Sequence, residues 1–284
     1  MIDLSTSTDP DIGVAGRVLA VLDVAAKRVG VDYLVVGATA RNVLSMAWSD
    51  RLPPRATRDV DVAVAVPDWP AFRRLTAGLT PRGGAHAFTV SLAGSPVEID
   101  IVPYGGVEEP DRTVHLPDDH SLNVLGIQEV FDAAVTARLP GGAEVRVPTI
   151  PGLALLKIFT WRDRRLLSRR DATDLDEIIN WYAEGPFLDQ LYDEVEILGR
   201  YDFDVALAAA HRLGRHIGLL AGRDCTTAVL AILGDDELRV RLANDMGRPA
   251  TADPTAPVGS GSSGWQRIAC RSPQRCSSGD CAGL

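Results

Sequence analysis

Although 46% of its 284 residues are hydrophobic, the chain has no apolar run approaching the roughly 20 residues that cross a bilayer. No membrane span is expected. The first ten residues, Met-Ile-Asp-Leu-Ser-Thr-Ser-Thr-Asp-Pro, hold neither a basic stretch nor an apolar segment. No secretory signal is read there, and the cytoplasm is the expected compartment. Cysteine is scarce: Cys225 stands alone, and Cys270, Cys276 and Cys281 fall in the last 15 residues with no CxxC spacing. That pattern supports neither a disulfide framework nor a zinc-ligand set. Positive charge is also short. A formal net charge of −9 argues against a broad basic surface that coats duplex nucleic acid, though not against a local basic patch.

What the chain does have is a segment Arg55-x-Thr57-x-Asp59-x-Asp61 running straight into the apolar stretch Val62 to Val66. Residues two apart on a strand share a face, so Asp59 and Asp61 project together. Paired carboxylates repel unless a cation lies between them. Mg²⁺ takes hard oxygen ligands and leaves positions for phosphate, so a divalent-metal site handling a nucleoside triphosphate is the simplest reading.

The pattern around this segment predicts an α+β chain. Helices are expected over Asp11–Val29, Ala38–Trp48 and Trp69–Leu79, and strands over Tyr33–Val36, Val60–Val66, Ala87–Leu92 and Val97–Val102. Pro53-Pro54 breaks the second helix. Gly94-Ser95-Pro96 joins the last two strands as a hairpin. This order implies a small mixed sheet with helices on one side. Residues 103–122 read as loop, Ile127–Ala137 as a helix and Ala143–Val147 as a strand. From Pro151 on the pattern is helical: Leu153–Arg165, Ala172–Ala183, Leu188–Leu198, Val205–Leu220 and Thr226–Leu233, with Gly185-Pro186 as a separator. Three regions follow: an α/β domain over 1–150, a helical domain over 151–246, and a Pro-, Gly- and Ser-rich tail over 247–284 that reads as disordered.

Further pieces carry chemistry. Val36-Gly37-Ala38-Thr39-Ala40-Arg41 takes a strand into a helix through a glycine, offering helix N-terminal N–H groups to a phosphate. An ordinary strand-to-helix turn is the alternative. Glu98 and Asp100 share one strand face, opposite Ile99 and Ile101. If that strand neighbours Val60–Val66, Asp100 adds a third carboxylate, either as a metal ligand or as a base. Lys157 falls among apolar residues of a helix and needs a carboxylate or phosphate partner. Asp171 is placed either as a partner or as a helix cap. Five arginines between 162 and 170 form the one dense basic cluster and could steer a polyanion.

Taken together, in this order, these pieces resemble the nucleotidyltransferase superfamily that includes DNA polymerase beta. Within it they are similar to the abortive-infection AbiEii-type branch, close to the MenT-like toxins of mycobacteria. The likeness spans roughly residues 12–220 and rests on Gly37-Ala38-Thr39-Ala40-Arg41, Arg55-x-Thr57-x-Asp59-x-Asp61 and Lys157…Arg170-Asp171-x-x-Asp174-Leu175. Ala38 stands where much of the superfamily has Ser or Gly, and Thr57 where the branch often has Ser. The resemblance implies that Asp59, Asp61 and Asp100 hold Mg²⁺ or Mn²⁺, and that Gly37, Ala38, Arg41, Thr57 and Lys157 serve the NTP. Asp171 would orient Lys157 or contact base or ribose. It further implies NMP transfer from an NTP such as ATP to a tRNA 3′ end, a protein hydroxyl or a small molecule of aminoglycoside type. Under the toxin reading, a cognate antitoxin would be the protein partner. A catalytically silent binding partner is the competing class, favoured by Ala38 and opposed by the retained acids and Lys157.

Overall fold

The computed structural model describes residues 1–48, 59–92 and 95–247. The Pro53-Pro54 break, Arg55, Thr57, Gly94 and the tail from 248 onward lie outside the described residues.

The architecture grows from β3 (Asp59–Val66), whose residues Val60, Val62, Val64 and Val66 are all buried. The elements before it are β1 (Ile2–Asp3), α1 (Pro10–Val29), β2 (Tyr33–Val35) and α2 (Gly37–Trp48). After it come α3 (Trp69–Thr76), β4 (Thr80–Pro81), β5 (Ala87–Leu92), β6 (Ser95–Gly105), β7 (Thr113–His115), β8 (Ser121–Asn123), α4 (Ile127–Asp132), β9 (Val135–Arg138) and β10 (Glu144–Val147). The remainder is helical: α5 (Ile150–Arg164), α6 (Arg170–Trp181), α7 (Gly185–Tyr192), α8 (Val195–Arg200), α9 (Val205–Leu220), α10 (Arg223–Gly234) and α11 (Asp236–Asp245).

Among the described residues, eight strands form one mixed sheet in the order β1-β9-β10-β2-β3-β6-β5-β4, and β7 and β8 pair separately. The fold is thus α+β, with a helical second half. β3 lies centrally, antiparallel to β2 and parallel to β6, in the register Asp59↔Glu98 and Asp61↔Asp100. The neighbour relation that Asp100 required is therefore present.

Helices cover both faces of the sheet, not one. On the face of Tyr104, Phe131 of α4 meets the tyrosine ring. On the opposite face, Phe72 of α3 packs on Phe88. The reason is visible in β3: Ala63 is as fully buried as Val62 and Val64 on either side of it, so both faces need an apolar cover.

Local chemistry sets the ends. Asp9 caps α1 by accepting from the N–H groups of Asp11 and Ile12, both at 3.0 Å, and Gly30 closes it at φ 77°, as a left-handed C-terminal residue does. Thr149 caps α5 through Gly152 N–H, with Pro151 in the first turn where its missing N–H is harmless. α5 is apolar on most of its circumference and buries Leu153, Leu155, Ile158, Phe159 and Trp161, which is the pattern of a helix packed on several sides. It contacts α2, α6 and α9.

Several expected elements differ. The helix read over Ile127–Ala137 ends at Asp132, and Val135–Arg138 instead pairs with β10 around Gly141 and Gly142, both at positive φ. The β-branched Val135 and Thr136 favour that strand over another helical turn. Residues 103–122 are not all loop, since β6 runs on to Gly105 and the β7–β8 hairpin begins at Thr113. The helix read over Leu188–Leu198 is two, α7 and α8, separated at Asp193-Glu194. The Glu194 carboxylate is held by Arg212 at 2.6 Å and by Arg215, both on α9. Gly185-Pro186 stands at the boundary between α6 and α7, as the first two residues of α7.

Candidate metal centre

Asp59, Asp61 and Asp100 come together at one place on the sheet, each offering a carboxylate oxygen, all within 4.8 Å of one another. The parallel register explains this, because cross-strand partners on one face stand side by side. All three are half-buried. Burial pushes the Asp61 carboxyl from its ordinary 3.8 up to about 7, and the neighbouring charges of Asp59 and Asp100 push the same way. Lys157 and the Ala38 N–H oppose that rise without cancelling it. Three hard oxygens at this separation, with one of them starved of positive charge, are a donor set that fits Mg²⁺ or Mn²⁺.

Gly37 is required by its neighbour. Its φ is +62°, and a Cβ there would lie 2.1 Å from Asp61 Oδ2. Only glycine lets the start of α2 approach so closely. The Val36 N–H donates to the Asp61 carbonyl at 2.9 Å, and the Ala38 N–H serves the Asp61 carboxylate. The helix N-terminus expected to face a phosphate therefore faces the Asp61 carboxylate first. Thr39, also buried, donates through Oγ1 to the Asp59 carbonyl at 3.4 Å.

Behind the acids lies a buried ion network that ties α2, α5 and α6. Lys157 Nζ stands 2.8 Å from Asp171 Oδ1 and 2.7 Å from Asp174 Oδ2. Arg41 Nη1 is 2.7 Å from Asp174 Oδ1, and Asn42 Oδ1 accepts from Arg41 Nε and Nη2. Burial works against charge on Asp174, but Lys157 and Arg41 outweigh it and hold its carboxyl below the usual range. Arg41, expected on the nucleotide side, is fully buried and braces α2 against α6. Asp171 lies inside the first turn of α6, while Arg169 occupies the cap position without a side-chain bond. Asp171 is therefore a Lys157 partner and not a helix cap.

Asp174 enters the sequence reading only through the Asp171-x-x-Asp174 pattern, whose spacing of three places both on one helical face. Arg82, which lies 3.2 Å from Asp100 Oδ1 and 3.3 Å from Glu98 Oε2, carries no signal in the sequence around it.

No protein-family model matches the sequence, and a search of curated proteins finds no match. Among solved structures, the chain is similar to an antigenic nucleotidyltransferase-like protein from Paracoccidioides brasiliensis. The two are 20% identical with a TM-score of 0.42, over 69% of this chain and 92% of the other. It is also similar to the antibiotic-resistance factor ANT(2'')-Ia, at 12% identity and a TM-score of 0.37 over 77% of this chain and 94% of that one. A third likeness is to the CdnC:HORMA-deltaN complex of E. coli MS115-1, at 18% identity and a TM-score of 0.23, over 55% of this chain and 51% of that one.

Proposed function

We propose that the chain is a metal-dependent nucleotidyltransferase. The observation that carries this reading is the convergence of Asp59, Asp61 and Asp100 within 4.8 Å, at the start of α2 and near the Lys157 network. The three acids would hold Mg²⁺ or Mn²⁺, which when bound neutralises charge on a triphosphate. Gly37 and Ala38 bring backbone to the Asp61 carboxylate. Lys157 adds a buried positive charge near Asp61, and Asp171 and Asp174 hold its ammonium in place. In the reaction the acceptor hydroxyl oxygen bonds to the α-phosphorus, the bond to pyrophosphate breaks, and the hydroxyl proton passes to Asp100. Positioning and charge neutralisation do most of the work in such transfers.

We further assign residues 1–150 to the catalytic α/β domain and 151–246 to a helical domain. The acceptor we favour is a tRNA, with the protein acting in the cytoplasm as the toxin of a toxin–antitoxin pair. Arg164, Arg169 and Arg170 are exposed and have no ion-pair partner among the described residues. Such a surface suits a polyanion better than a cationic aminoglycoside.

The test is incubation with Mg²⁺, each α-³²P-labelled NTP in turn and total tRNA, beside Asp61→Asn. Label on RNA that falls by about 10²–10³ in the variant supports the reading. Label on the protein moves the acceptor to a polypeptide hydroxyl. Absence of label from every NTP refutes nucleotidyl transfer.

A further inference from the structure

Arg82 follows β4, and its N–H donates to the Ala87 carbonyl at 2.8 Å. That bond extends the β4–β5 ladder, Thr80↔Thr89 and Pro81↔Phe88, by one more residue pair. Ala87 is the register partner of Asp100, and Asp100 of Asp61. Arg82, Ala87, Asp100 and Asp61 therefore form one rung across the sheet and share a face. Strands lie about 4.8 Å apart, so Arg82 and Asp100 are separated by roughly 10 Å of backbone. An extended arginine spans that distance only if the residue between is small, and Ala87 presents a methyl group alone. The guanidinium accordingly crosses the rung and forks, with Nη2 3.2 Å from Asp100 Oδ1 and Nη1 3.3 Å from Glu98 Oε2. Its side chain is 40% exposed, so it remains free to leave.

We propose that Arg82 is a displaceable counter-ion of the metal centre. It holds the Asp100 carboxylate while no cation does, and it competes with the cation for that carboxylate. The proposal rests on the metal-centre reading above. Two consequences follow from charge alone. Removing Arg82 strengthens binding of a divalent cation on its own, because the cation no longer has to separate an ion pair. A bound triphosphate gives the released guanidinium a new anionic partner, so nucleotide and cation assist each other through Arg82. Arg82 is a positioning residue by this account.

Mn²⁺ titration followed by electron paramagnetic resonance tests it without any turnover. The proteins are wild type, Arg82→Ala, Arg82→Lys, Asp61→Asn, Asp100→Asn and the Arg82→Ala/Asp100→Asn double variant. An exposed pair is worth up to about 1 kcal/mol, so Arg82→Ala is expected to bind Mn²⁺ about two- to fivefold tighter. Arg82→Lys keeps the charge but not the fork and should fall between the two. In the Asp100→Asn background, removal of Arg82 should give no gain. With a triphosphate analogue of non-cleavable α–β bridge, the mutual assistance should be weaker in Arg82→Ala than in wild type. Equal or weaker Mn²⁺ binding by Arg82→Ala overturns the proposal. So does an equal gain in the Asp100→Asn background, which would mark a general charge effect. A wild type that binds no Mn²⁺ sensitive to Asp61→Asn would overturn the metal-centre reading itself, and this proposal with it.

Discussion

Asp61 gives the sharpest test of the site, through stability alone. Its carboxyl titrates near 7 in the folded chain because burial, Asp59 and Asp100 all disfavour its charge. In the unfolded chain an aspartate titrates near 3.9. The folded state thus holds the proton more tightly, and Asp61 favours folding fully below about pH 4. That support is lost as pH rises, and it is gone above about pH 7. The rise corresponds to about 4 kcal/mol if the carboxylate keeps its place, and to about half of that if it turns toward water. Asp61→Asn removes the titration while keeping the shape. Thermal unfolding of both proteins, from pH 5 to 8.5 in a chelator, isolates the effect as a difference. About 2 of the roughly 3 pH units of the rise fall in that window, or about 2.7 kcal/mol and half of that if the carboxylate turns to water, so wild type should lose about 3–11 °C against the variant, since 1 kcal/mol moves Tm by roughly 2–4 °C in a domain of this size. Mg²⁺ at about a hundredfold over its Kd should return about 2.7 kcal/mol to wild type and little to the variant. Parallel curves for the two proteins in chelator would refute the reasoning, since Asp61 would then bear no electrostatic load.

Gly37→Ala should be damaging well beyond its size. A left-handed conformation costs a non-glycine residue about 1–2 kcal/mol, and the new Cβ collides with the Asp61 carboxylate; Mn²⁺ affinity should fall at least about tenfold, read by titration. Lys157→Met leaves Asp171 and Asp174 buried beside one another. Breaking a buried pair costs about 3–5 kcal/mol, and because Arg41 still holds Asp174 the lower end is expected in denaturant unfolding. Thr149→Ala removes the cap of α5 and should lower stability by about 1 kcal/mol while leaving Mn²⁺ affinity unchanged, which separates support of the helix from the site.

Much of the fold was legible because its strong elements have strong periods. Val60 to Val66 alternates without interruption, and α1 shows an apolar face between Asp9 and Gly30. Ile2–Asp3 and Thr80–Pro81 have two residues each, too few for any period to show. The sequence placed Asp59 and Asp61 together because their spacing is local. It placed Asp100 only conditionally, because strand neighbours are a long-range property that register alone decides. Arg82 could not be read at all. Its reach depends on two consecutive strand pairings and on Ala87 being small, and no window of sequence contains those facts together.

The division of charge in the site supports the proposal that an external cation binds there. Two acids of this region sit in opposite electrostatic states. Asp174 is over-supplied, with Lys157 and Arg41 both within 2.7 Å, and its carboxyl lies below the usual range. Asp61 is under-supplied, and its carboxyl lies well above it. Their contributions to stability therefore run in opposite senses: that of Asp174 is lost as pH falls below the ordinary carboxylate range, that of Asp61 as pH rises toward 7. Had the fold been arranged for stability alone, Lys157 would serve Asp61, which it influences, rather than two acids of α6. Instead Lys157 is neutralised in a buried network with the acids of α6, and at the edge of the sheet the half-exposed Arg82 lies against Asp100 and Glu98. Strain at a site of this kind is what a bound ligand relieves. The side chains that stabilise the helices and the side chains left for chemistry thus meet near Lys157, whose ammonium is held on one side and still felt by Asp61 on the other.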